Sequence, residues 1–88
     1  MSHVDDGFAS AMQIAQQCLG ITGAEATTNS RRLGDIDAYY FWQPGRGGGA
    51  LIVGPDGSAL FANSSVSLEK HKEEFRNGRR TNPDAFGL

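Results

Sequence analysis

Apolar residues recur at helical spacing near the N-terminus: Phe8, Ala11, Met12, Ala15, Cys18 and Leu19 lie three or four apart. Gln13, Gln16 and Gln17 fall largely on the opposite side, so the pattern predicts an amphipathic helix over about 6–19. Asp5 or Asp6 can cap its start, where a carboxylate complements the positive end of the dipole. Gly20 suits the position just past the helix end, and Ile21 can make the apolar contact that accompanies such a cap.

Beyond this helix the period changes. Residues 21–26 read as a loop and 25–33 as a polar edge strand, because Thr27 and Thr28 favour extended backbone while Asn29, Ser30, Arg31 and Arg32 give no apolar alternation. Gly34-Asp35 then supplies a turn. Residues 37–43 read as a strand through Ala38-Tyr39-Tyr40-Phe41-Trp42, the aromatic content that strands favour. The stretch 48–63 holds two apolar runs flanking Pro55-Asp56-Gly57. Pro55 presets φ for the first turn corner, Asp56 suits the second, and Gly57 accepts the left-handed conformation that returns the chain. The resulting hairpin sets Val53 beside Ala59, Ile52 beside Leu60 and Leu51 beside Phe61. Ser67 is placed to cap a last helix in which Leu68, His71, Lys72 and Phe75 share a face. Lys70–Glu74 and Glu69–Lys72 are the expected ion pairs along it, Asn77-Gly78 stops it, and 81–88 reads as a loosely ordered tail.

The order α-β-β-β-β-α gives an α+β fold: one small domain over 1–88, an antiparallel meander of three to four strands with an N-terminal and a C-terminal helix. Alternation puts Tyr39, Phe41, Leu51, Val53 and Phe61 opposite Tyr40, Trp42, Ile52 and Leu60. Both faces of the central strands are apolar, whereas a sheet with one wet face alternates apolar with polar. Either the helices divide the two faces or a second chain covers one.

Composition narrows the functional classes. A chain of 88 residues buries only about 60–65% of its unfolded surface, which leaves a thin stability margin. The net charge of −2 gives no drive toward nucleic acid or an anionic membrane. Five basic residues against three acidic over 69–80 make a modest basic end on an otherwise acidic chain. A single cysteine, Cys18, excludes an intramolecular disulfide and a cysteine-based zinc cluster. With no bilayer-length apolar run and no signal-peptide core, the expected location is cytoplasmic.

No catalytic constellation stands out, and no cofactor or metal is expected. Ser67-Leu68-Glu69-Lys70 matches S-x-x-K, but helix capping explains Ser67 more simply. Cys18 and His71 are a conceivable nucleophile–base pair, although Cys18 lies on an apolar stripe where a small buried residue is the usual explanation. The loop Gly45-Arg46-Gly47-Gly48-Gly49 lacks the lysine, hydroxyl and following helix of a phosphate cradle. The alternative reading uses it with His71 as a small-molecule or anion site, and that alternative is the one that admits an enzyme. Trp, Tyr and Arg dominate interface hot spots, so Tyr40, Trp42 and Arg46 are the leading partner-binding residues, with Arg79 and Arg80 as secondary electrostatic contacts.

From Tyr39 to Arg80 the chain resembles the small YrhB-type domains grouped with bacterial immunity protein 35. The residues behind the likeness are Tyr39-Tyr40-Phe41-Trp42, Ala50-Leu51-Ile52-Val53 with Pro55-Asp56-Gly57, Ser64-Ser65, and the helix from Leu68 to Phe75 closed by Gly78-Arg79-Arg80. The resemblance implies a stand-alone α+β domain that binds and neutralises a toxin. The expectation is a non-enzymatic interaction domain with a protein partner, and a homodimer through the sheet as one form of assembly.

Overall fold

A computed structural model describes residues 5–43, 49–63 and 65–82, with side chains from Phe8 onward. Its elements run α1 (Asp5–Leu19), α2 (Gly23–Thr28), β1 (Ser30–Leu33), β2 (Ala38–Trp42), β3 (Ala50–Val53), β4 (Ala59–Ala62) and α3 (Leu68–Arg76). The four strands form one antiparallel sheet in the order β1-β2-β3-β4, the expected α+β meander. The hairpin register is the one its turn requires, pairing Val53 with Ala59, Ile52 with Leu60 and Leu51 with Phe61.

One element departs from the pattern reading. Residues 23–28 form a short helix instead of a loop running into strand, and the strand is confined to 30–33. The cause is a capping box: the Glu25 N–H donates to Thr22 Oγ1 (3.1 Å) while the Thr22 N–H donates to Glu25 Oε1 (3.0 Å). Two otherwise unpaired amides are satisfied together, which outweighs the extended preference of Thr27 and Thr28. Ala26 then docks into the core.

Helix α1 ends as its sequence dictates. Gly20 takes φ +68°, its N–H donates to the Gln16 carbonyl at 2.9 Å, and Ile21 is buried behind it. The expected Asp5 or Asp6 cap lies outside the described side chains. In the hairpin turn Gly57 sits at φ +88°, and Asp56 Oδ1 accepts from both the amide (3.0 Å) and the hydroxyl (2.7 Å) of Ser58.

The two apolar faces of the sheet are divided between helices. On one side Ala11, Ala15 and Leu19 of α1, Ile21 of the connection and Ala26 of α2 bury Phe41, Leu51, Val53 and Ala59. Phe8 adds an edge-on contact with Tyr39 (5.5 Å) and a stacked one with Phe41 (5.9 Å). On the other side Phe75 closes over Leu33, Ala38 and Ile52, with Tyr40, Leu60 and Leu68 half-buried around it. At 1.5 Å rise per residue, α1 (15 residues) spans ~22 Å and α3 (9 residues) only ~13 Å. The shorter helix leaves Tyr40 and Trp42 half-buried where the opposite face is fully closed at Phe41 and Leu51.

Helix α3 starts at Ser67, whose hydroxyl accepts from the Lys70 N–H. The Lys70–Glu74 pair forms (3.1 Å). The expected Glu69–Lys72 pair does not: Lys72 turns toward the β1–β2 turn and pairs with Asp35 at 2.8 Å, with Arg76 beside it at 3.6 Å. That contact ties α3 to the β1–β2 turn as well as to its own stripe.

Candidate partner-binding face

The register of β1 on β2 builds the site. Arg31 lies opposite Tyr40 on the α3 side of the sheet, and Trp42 follows two residues along β2. The Tyr40 and Trp42 rings sit 5.5 Å apart at a 35° tilt, and the His71 ring meets Tyr40 edge-on at 6.0 Å. Burial pushes the Tyr40 hydroxyl above its ordinary pKa, with nearby Arg31 opposing the shift, so at neutral pH it is an uncharged donor. Arg31 is exposed and makes no ion pair with a described residue. Tyr40 rests against His71 of α3, Trp42 rests against Tyr40, and a cation stands at the margin; aromatic and arginine side chains are the residue types enriched among interface hot spots.

The other sequence candidates are placed differently. Arg46 and Gly45–Gly48 lie outside the described residues. Gly49 is buried, and a Cβ there would run into the Phe61 ring, so close packing explains that glycine. Arg80 stays exposed but folds back on the protein: its guanidinium lies 3.6 Å from the Phe75 ring centre and donates to the Phe75 carbonyl (2.9 Å), the Arg79 carbonyl (2.7 Å) and Ser58 Oγ (2.7 Å). It pins the segment after α3 to the hairpin. Arg79 pairs with Glu74 at 2.9 Å. It lines a cleft of about 320 Å³ between β4 and α3, away from β1, together with Leu60, Ala62, Val66, Lys70 and Glu74. The sequence candidates therefore separate: Tyr40 and Trp42 come together, while Arg79 and Arg80 belong to the other flank of α3.

Arg31 was hidden in the sequence. The stretch 29–33 has no apolar alternation from which to set a register, so nothing placed Arg31 beside Tyr40 rather than on the opposite side.

His71 and Cys18 are not brought together. His71 is 2% exposed, under α3, whereas Cys18 packs in the layer on the far side of the sheet. His71 Nε2 lies 2.7 Å from the Leu60 carbonyl oxygen. A carbonyl only accepts, which makes Nε2 the protonated nitrogen. Burial lowers the His71 pKa, with the bond to Leu60 opposing the shift. Burial raises that of the Cys18 thiol, which works against a thiolate. Among the described residues no group of three His, Cys, Asp or Glu is arranged to hold a metal ion, and no helix is long and apolar enough to cross a membrane.

Comparison with known proteins gives no match to a family model, to a curated protein or to a solved structure.

Proposed function

We propose that this domain is a non-enzymatic cytoplasmic binding protein whose partner is another protein, and that the partner docks on the Tyr40–Trp42 face with Arg31 at its margin. The observation behind this reading is the half-buried aromatic pair, with Tyr40 packed edge-on against His71 of α3, bordered by an arginine without an ion-pair partner among the described residues. The resemblance of 39–80 to immunity-type domains makes a toxin the partner class to test first.

A heterologous partner fits better than a second copy. The outer edge of β4 is occupied, since the Thr81 N–H donates to the Ala59 carbonyl (2.8 Å) and the Phe61 N–H to Thr81 Oγ1 (2.8 Å). Two-fold antiparallel pairing of β1 must centre on one residue, because opposed residues share a face of the sheet. Centred within this strand's middle, it would set Arg31 against Arg31 or Arg32 against Arg32, and like charges directly opposite are destabilising.

Co-expression with the product of the adjacent gene tests the reading. The expected result is a co-purifying complex and restored growth when that product is toxic. Absence of both complex and protection would reject the toxin-neutralising role.

A further inference from the structure

The two edges of the sheet are treated differently by the chain. Thr81 covers β4, whereas β1 has no described strand outside it. The Trp42 N–H donates to the Asn29 carbonyl at 3.2 Å. In an antiparallel ladder hydrogen-bonded and non-bonded pairs alternate, so Arg31 and Leu33 also turn their main-chain groups toward β2. Ser30 and Arg32 therefore turn theirs outward, and among the described residues no hydrogen bond reaches the main-chain groups of either.

Arg31 and Arg32 flank this open ladder on opposite faces of the sheet. Arg32 is already paired, with Asp37 at 2.6 Å and with its guanidinium 5.5 Å from the Tyr39 ring centre. Arg31 has no such partner among the described residues. The same charges that reject a second copy of β1 favour a strand carrying carboxylates.

We propose that β1 accepts an extended acidic segment of a partner protein as a fifth strand, its main chain bonding Ser30 and Arg32 and a carboxylate meeting Arg31. This mode of recognition draws affinity from main-chain hydrogen bonds and specificity from alternate side chains. It rests on the reading of the adjoining Tyr40–Trp42 face as a protein-binding surface and names the chemistry of the segment that reaches its margin.

The test uses the full chain, labelled with nitrogen-15, and an end-blocked seven-residue peptide alternating glutamate and valine. A lysine–valine peptide serves as the control. The expected result is saturable movement of the Ser30 and Arg32 amide signals, with hydrogen exchange at both slowed at least tenfold by the acidic peptide alone. Arg31→Glu, an exposed change, should weaken acidic-peptide binding at least tenfold and admit the lysine peptide. If the Tyr40 and Trp42 signals move while the β1 amides stay still, strand addition is overturned and the aromatic face stands as the binding surface. Stillness in both regions overturns strand addition as well. Movement of the β1 amides with protein concentration alone overturns it in favour of a second copy.

Discussion

At the scale of single residues, His71 shows how a titratable side chain can be structural. It is the one buried polar side chain described, and its Nε2–H is spent on Leu60. Protonation would place a charge in an apolar layer, and its pKa is accordingly lowered from the ordinary 6.5. The sign follows from linkage. The unfolded chain takes up the proton first as pH falls, so His71 contributes its stability above about pH 6.5 and loses it as pH drops toward the native value. Thermal melts between pH 7.5 and pH 5 should show a falling midpoint in the native protein. His71→Gln, which can still donate to the Leu60 carbonyl, should flatten that slope; an unchanged slope would mean that the burial cost is not what governs it. The carboxylates act in a separate window. Asp56, held down by the Ser58 hydroxyl and amide, and Asp35, held down by Lys72, contribute above the carboxylate range and lose their contribution only below about pH 4.

At the scale of elements, caps and clamps decide where each piece begins and ends. Thr22→Ala removes one half of the α2 box and should cost ~1 kcal/mol. For a domain of this size that is a fall of roughly 4–8 °C in Tm, readable by circular dichroism. Arg80→Ala removes three hydrogen bonds and the stacking over Phe75, and ~1–2 kcal/mol is the expected loss. Arg80→Lys should recover only part of it, because a point charge cannot replace the planar fork. Full recovery by lysine would show that charge alone sets its role. These elements also show what the sequence makes legible. The β3–β4 hairpin and its register follow from Pro55-Asp56-Gly57, and α1 from its apolar spacing through Gly20, because local chemistry specifies both. Helix α2 carried its signal in Thr22-Gly23-Ala24-Glu25, yet Thr27 and Thr28 pointed the other way across only six residues. The pairing of Arg31 with Tyr40 and the folding of Arg80 back onto the hairpin depend on contacts distant in sequence, which no local pattern encodes.

At the scale of the whole molecule, the apolar faces of the central strands are divided between α1 with α2 on one side and α3 on the other. That arrangement makes a second chain unnecessary for covering the core. The proposed docking place is smaller, at the corner where the short α3 gives way to Tyr40, Trp42 and strand β1, which has no described strand outside it. The basic cluster of Arg76, Arg79 and Arg80 is largely spent on Asp35, Glu74 and the hairpin, so the proposed binding energy lies on the aromatic side of α3. The most direct test is the affinity of the native protein and of Trp42→Ala for the partner captured with the adjacent gene product, measured by titration calorimetry with the fold checked by melting. The expected Kd for Trp42→Ala is at least ~30-fold weaker, the effect of losing a hot-spot side chain worth about 2 kcal/mol, with Arg79→Ala close to native. An unchanged Kd for Trp42→Ala, or a larger loss for Arg79→Ala, would contradict the proposal.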